Sequence, residues 1–240
     1  MCTVTFMPKA GSGFILSSSR DEFPGRNIAG IVRREAKNGL VVFPQDAWAG
    51  GTWIAADARG FVLCLLNGAF ERHDRTPPYR KSRGVLLLEL MDAVEIPECF
   101  QDYSLEGIEP FTMIIAGINI LQEFRWDGRQ RYLRQYDPGS KHIWSSSTLY
   151  CNEARKRREA WFTDWFDADR EYSREAILDF HCSAGKGDDH NGLVIDRGGI
   201  VRTISITQVV AEQGQCCLYH FDLDAGVPRL TEEAPVVTKR

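Results

Sequence analysis

The chain has 240 residues, 43% of them hydrophobic and 26% charged, with a net charge of -4. That length can bury one sizeable core, and 29 Lys and Arg against 33 Asp and Glu exclude a nucleic-acid backbone as the main partner. No apolar run approaches the roughly 20 residues of a membrane span, and no basic segment leads into a long apolar one at the start, so a cytoplasmic protein without a membrane span is predicted. Seven cysteines, none in a CxxC pair, predict free thiols and no metal site.

Taken in chain order, residues 2–7 carry Thr3, Val4, Thr5 and Phe6, good strand formers, and Pro8 with Gly11-Ser12-Gly13 turns the chain into a second strand over 14–18. A second pair follows over 51–56 and 61–67 around the turn 57–60. Ser82 caps a helix reaching Met91, apolar nearly all round and so packed against a sheet. Residues 111–118 read as a buried strand, and 121–126 and 131–136 flank the Asp127-Gly128 hairpin turn. Helices are predicted over 152–166, capped by Asn152 with Lys156, Arg157 and Arg158 on its solvated face, and over 174–180. Strands return over 192–196, 201–209 and 216–222, and a loose polar tail starts near residue 225. Hairpins dominate, so the chain reads as a single α+β domain over 1–240, two antiparallel sheets with helices outside.

The chemistry-bearing residues gather at strand ends. Cys2 is small enough for Met1 to be removed ahead of it, which would place a thiol nucleophile and an α-amine base on one residue. Arg20 beside it would favour thiolate, and Asp21 could orient the amine. Trp48 to Trp53 enclose Gly50 and Gly51, a backbone suited to close approach. Asn67 and the Gly68 amide could donate to a developing oxyanion. Each feature alone also suits a structural role: a strand residue, a solvated charged turn, an ordinary Asn-Gly turn. Thr203, Ser205 and Thr207 alternate with Ile204 and Ile206, which puts the three hydroxyls on one strand face, toward a pocket or toward solvent.

Together the opening Met-Cys-Thr-Val-Thr-Phe, Arg20-Asp21-Glu22, Ala49-Gly50-Gly51-Thr52-Trp53-Ile54, Leu65-Leu66-Asn67-Gly68 and the later Thr203–Gln208 stretch resemble the NRDE family, which includes transport and Golgi organisation protein two. Ser19 stands where the family signature has Asn. That family is similar to choloylglycine hydrolases and penicillin V acylases. The resemblance implies an N-terminal-nucleophile (Ntn) hydrolase fold, an αββα sandwich, with Cys2, Arg20, Asp21 and Asn67 as catalytic residues and Asn67 and Gly68 at the oxyanion. Those hydrolases carry a second Asn after a middle strand; the corresponding stretch here, Trp144 to Thr148, has none and places Ser146 there. Trp48, Gly50, Gly51, Trp53, Ser146, Thr203 and Ser205 are the expected pocket residues, the tryptophans giving it an apolar wall. The implied partner is a small-molecule amide or acyl compound, with no cofactor. The alternative is a non-catalytic haem- or lipid-related binding or trafficking protein on the same scaffold, whose haem ligands would come from His73, His142, His181, His190, His220 or a cysteine. The sequence leaves the oligomeric state open.

Overall fold

A computed structural model describes residues 3–9, 11, 13–93, 96–167, 172–212, 215–224 and 227–236. Strands β1 (Thr3–Lys9) and β2 (Gly13–Glu22) form the first hairpin, and β3 (Ile28–Ala36) and β4 (Gly39–Asp46) a second. β5 (Ile54–Asp57) and β6 (Val62–Asn67) lead to α1 (Arg83–Met91) and α2 (Ile96–Asp102). β7 (Phe111–Gly117), β8 (Ile120–Trp126), β9 (Arg131–Gln135) and β10 (His142–Ser145) follow, then α3 (Asn152–Trp165) and α4 (Arg174–Ser183). β11 (Asp196–Arg197), β12 (Val201–Glu212), β13 (Gln215–Asp224) and β14 (Val227–Pro235) close the chain.

All named strands pair antiparallel, in two sheets. The first has the order β10-β1-β2-β12-β13-β14 with β11 beside β12; the second is a meander from β3 to β9. Period-two side chains let each sheet pack on both faces. Val4, Phe6, Leu16, Val209 and Leu218 of the first sheet meet Val42, Ile54, Val62, Cys64, Leu66 and Ile114 of the second. The opposite residues of β6 and β7, Leu63, Leu65, Met113 and Ile115, pack under Leu86, Leu87, Leu90 and Met91 of α1. Met7 and Ile15 on the far side of the first sheet pack under Phe162 of α3 and Ile177 and Phe180 of α4. The result is the αββα sandwich implied by the resemblance. No helix of the described residues is long and apolar enough to cross a membrane.

Several sequence expectations are corrected. The β3–β4 hairpin was not anticipated; it turns at Lys37-Asn38, with Gly39 at φ 104° opening β4, and β4 tolerates Pro44 inside it. The strand expected from Gly51 starts only at Ile54, because Gly51 and Thr52 pack against α1. Residues 192–195 run as a loop, held by the Leu193 N–H on the Ala184 carbonyl, and only Asp196–Arg197 pairs. The expected loose tail is strand β14, bonded along β13, with Ala234 fully buried. Cys151, not Asn152, holds the N-cap position of α3, and it makes no side-chain capping bond. Arg158 is completely buried rather than solvated.

Gly51 and Gly84 explain how α1 comes to lie on the Gly-rich motif. A Cβ on Gly51 would meet the Gly84 carbonyl carbon at 2.4 Å, and one on Gly84 would meet the Thr52 carbonyl oxygen at 2.6 Å. The Thr52 N–H donates to the Gly84 carbonyl at 3.2 Å across this contact. Gly50 differs: its φ is +67°, with open space where a Cβ would go. Gly50→Ala should therefore cost only the left-handed backbone penalty, about 1–2 kcal/mol. Gly51→Ala forces backbone apart and should cost about 3 kcal/mol. Guanidinium unfolding of both variants checks this; equal losses would contradict the close-approach account.

Candidate active site

β2 carries its charged end on two faces. Arg20 points between the sheets and Asp21 toward the helices α3 and α4. The Arg20 guanidinium, 1% exposed with its residue, donates to Asp46 Oδ2 at 2.5 Å and to the Arg26 carbonyl at 2.9 Å. It lies over the Trp53 ring, 4.2 Å from the centroid. Asp46 ends β4 and is heavily used. Its Oδ1 accepts the Trp48 and Ala49 N–H groups, and its Oδ2 also accepts Arg26 Nε at 2.8 Å. Burial pushes the Asp46 carboxyl up, but the Ala49 N–H and the Arg26 and Arg20 charges outweigh it and hold the group below the usual carboxylate range. The loop 46–51 is closed by the Asp46 N–H on the Gly51 carbonyl and the Gly50 N–H on the Asp46 carbonyl. The Gly-rich motif is thus an Asp-centred turn that presents Trp53 to Arg20.

Asp21 is bonded on the other face, accepting the Tyr150 hydroxyl at 2.5 Å and the Thr203 hydroxyl at 2.6 Å. Around it the outer face of β1 and β2 is polar and buried. Arg158 Nη1 donates to Thr3 Oγ1 at 2.5 Å, and the same guanidinium donates to the Asn191 and Gly192 carbonyls and lies 3.4 Å from the Tyr150 ring centroid. His181 sits between Thr5 Oγ1 and Ser19 Oγ, 2.8 Å from each. The start of β1 is therefore pinned from below by α3 and α4.

Cys2 lies outside the described residues. Its covalent neighbour Thr3 pairs with Ser19 on β2 and Ser145 on β10. Ser146, next along, donates its hydroxyl to the Asn67 carbonyl at 2.8 Å, so the end of β6 meets the same strand ends as the beginning of β1. Asn67 and Arg20 line one cavity of about 670 Å³, together with Gly51 and Trp53. The Asn67 side-chain amide makes no hydrogen bond among the described residues.

Other expectations change. The Gly68 N–H, expected at the oxyanion, donates to the Pro110 carbonyl at 3.1 Å. Gly68 instead turns the chain at φ +79°, where a Cβ would strike Ser147 Oγ. Trp48 is 66% exposed beside Phe23, and neither it, Gly50 nor Ser146 lines the cavity. A bulge between Thr203 and Ser205 breaks the expected alternation: Thr203 turns its hydroxyl to Asp21 and Ser205 pairs with Arg20, and both residues border a second cavity. Of the expected apolar wall only Trp53 borders the cavity, and much of the remaining lining is charged. Arg20, Arg26, Arg72, Arg75 and Arg83 face Glu22, Asp46, Asp74 and Glu109 around the cavity. Glu109 is held by Arg75, Arg83 and His73 at 3.2–3.3 Å. Sequence reasoning missed Asp46, Glu109 and Tyr150, read Arg158 as solvated, and weighed His181 only as a haem ligand. The signal for Arg158 was available, since Ala154, Arg158 and Phe162 form one helical stripe. Among the described residues no cluster could hold a metal ion, and five described cysteines are free.

The model of the Transport and Golgi organisation 2 family matches residues 1–184. The chain belongs to that family. No curated protein sequence matches it. Solved structures show what fold this Transport and Golgi organisation 2 member has. The Caenorhabditis elegans N-acylethanolamine-hydrolyzing acid amidase ortholog superposes with TM-score 0.58 at 10% identity, over 86% of this chain and 92% of that one. A cysteine-to-alanine mutant of the conjugated bile acid hydrolase from Clostridium perfringens gives TM-score 0.55 at 11% identity, over 98% and 96%. An arginine-to-leucine variant of that hydrolase gives 0.56 at 11%, over 99% and 97%. The fold is that of the Ntn hydrolases.

His181 supplies a pH test of the layer beneath the site. Burial pushes its imidazole down to about 3, Arg158 pushes the same way and Asp21 opposes. The folded protein thus keeps it neutral while the unfolded chain takes up a proton below about 6.5, so stability falls as pH drops through that value. From pH 7.5 to 5 this single group should remove about 2 kcal/mol. His181→Gln should lose that part of the pH dependence. Urea unfolding at both pH values measures it, and identical slopes for the two proteins would contradict a neutral buried imidazole.

Proposed function

We propose that this chain is an Ntn amidohydrolase that cleaves the C–N bond of a small-molecule amide, with Cys2 as nucleophile once Met1 is removed. The observation that carries this reading is the meeting, on one cavity beside the start of β1, of Arg20 and the Asn67 amide, which makes no hydrogen bond among the described residues. The fold supports it, because the similar structures include an acid amidase and a conjugated bile acid hydrolase.

The chemistry follows from one residue carrying two groups. The Cys2 thiol gives its proton to its own α-amine, directly or through water, and the sulfur attacks the amide carbonyl carbon. The Arg20 charge favours the thiolate that attacks. Asn67 Nδ2 donates to the oxygen as it becomes an oxyanion. The tetrahedral adduct collapses by breaking the C–N bond, and the α-ammonium protonates the leaving amine. Water, deprotonated by the free α-amine, then attacks the thioester. Collapse of the second adduct releases the acid and returns the proton to sulfur. Asp21, through Tyr150 and Thr203, positions the strand end beneath this step. The charged cavity suits a substrate whose polar groups flank the scissile bond.

Intact mass of the purified chain should show loss of one methionine. Against a panel of acyl amides, Cys2→Ala should abolish turnover with an unchanged melting temperature, and Asn67→Ala should lower kcat about 100-fold or more. Full retention of Met1, or turnover surviving in Cys2→Ala, would refute the mechanism. Absence of turnover with every amide, on a processed N-terminus, would favour a binding role on the same scaffold.

A further inference from the structure

Two sheets packed face to face normally meet through apolar side chains, and along most of their contact these do. At the Arg20 end the first sheet instead turns two polar rows inward. Residues directly opposite on neighbouring strands share a face. One row runs Arg20, Ser205, Asp222, Arg229 across β2, β12, β13 and β14. The next runs Ser18, Thr207, His220, Glu232. The rings of Trp53 and His220 lie 6.2 Å apart, so the rows face the second sheet. The β12 bulge creates this arrangement, because it sends Thr203 outward to Asp21 and leaves Ser205 inward beside Arg20.

A cavity of about 400 Å³ lies over the rows, separate from the one lined by Asn67; Arg20 borders both. Its lining includes Arg202, Ser205, His220, Asp222 and Arg229. Ser205 is 2% exposed and, among the described residues, its hydroxyl has no hydrogen-bond partner; His220 is fully buried and its Nε2 has none there either. His220 Nδ1 is engaged by Thr207 Oγ1 at 2.8 Å. Asp222 Oδ1 stands 3.5 Å from Nε2, near enough for attraction and too long for a good hydrogen bond. Buried polar atoms are costly when unpaired, so a donor pair directed into a cavity marks a place for an acceptor. The charges favour an anion. Arg20 is committed to Asp46 and Arg202 to Asp196, whereas Arg229 makes no hydrogen bond among the described residues and lies opposite the single carboxylate Asp222.

We propose that this second cavity binds a small anion, a carboxylate or phosphate group, held by Ser205 Oγ, His220 Nε2 and the Arg229 guanidinium. With Nδ1 accepting from Thr207, Nε2 carries the proton and donates to the anion. The site is independent of whether Cys2 is catalytic.

Calorimetric titration and thermal melting of the full chain in a HEPES buffer test it, with sodium phosphate, sodium succinate and, at matched ionic strength, sodium chloride. A saturable heat and a melting shift are expected with phosphate or succinate and not with chloride, and the stronger of the two tells phosphate from carboxylate recognition. Ser205→Ala and Arg229→Met, one a small deletion and the other at an exposed position, should each weaken binding about tenfold or more while leaving the unliganded melting temperature unchanged. No saturable binding by either anion would overturn the proposal. So would binding of undiminished strength in either variant, since the anion would then sit elsewhere, for instance on the arginines of the larger cavity.

Discussion

A guanidinium buried between two β-sheets must find its countercharge there, and in this protein that requirement organises the whole end of the sandwich that carries the candidate site. Arg20 and Asp46 have side-chain exposures of 2% and 7%. Removing either partner of such a pair leaves a buried charge alone, at a cost of about 3–5 kcal/mol. Asp46 can serve Arg20 only because the loop after it folds back on its own carboxylate and main chain. That loop sets the direction of Trp53, whose ring covers the guanidinium. The same loop offers Gly51 as the surface on which α1 rests. One ion pair thus ties together β2, β4, the Gly-rich motif and the first helix.

Beneath it lies a second, differently built layer. Thr3, Thr5, Ser19 and Asp21 on the outer face of β1 and β2 are met by Arg158, His181, Tyr150 and Thr203. Hydroxyl and imidazole contacts there replace the apolar packing seen farther along the same strands at Met7 and Ile15. Polar networks of this kind fix a single arrangement when every member is satisfied. Their place is under the first described residues of β1.

Much of this was legible in the sequence, for identifiable reasons. The first hairpin, the Asp127-Gly128 hairpin and the Ser82-capped helix follow from local rules that tertiary context did not override. Arg20, Asn67, Gly51 and Trp53 were read from motifs, and the structure does bring them to one cavity. The β3–β4 hairpin was not legible, since Arg33, Arg34 and Glu35 and the internal Pro44 hide its alternation. Arg158 was misassigned because Lys156-Arg157-Arg158 reads as a charge run, although only its third member falls on the buried stripe. Gly68 looked like an oxyanion donor from its neighbour Asn67; only the folded backbone reveals that Pro110 takes its N–H. The charged lining was equally hidden, because Glu22, Arg72, Asp74 and Glu109 come from segments that share no local pattern.

The account rests on Arg20 acting electrostatically on a thiolate at Cys2, and the rate of thiol alkylation measures that directly. Among the other cysteines, burial pushes Cys64 and Cys216 up to about 12, whereas Cys151 is exposed. Brief iodoacetamide treatment near pH 7 followed by peptide mass mapping should therefore label Cys2 faster than Cys151, with Cys64 and Cys216 silent. The paired substitution Arg20→Met with Asp46→Asn removes the charge without stranding its partner, and should slow Cys2 alone. Cys2 labelling no faster than Cys151, or unchanged in the paired variant with the fold intact by circular dichroism, would contradict the account.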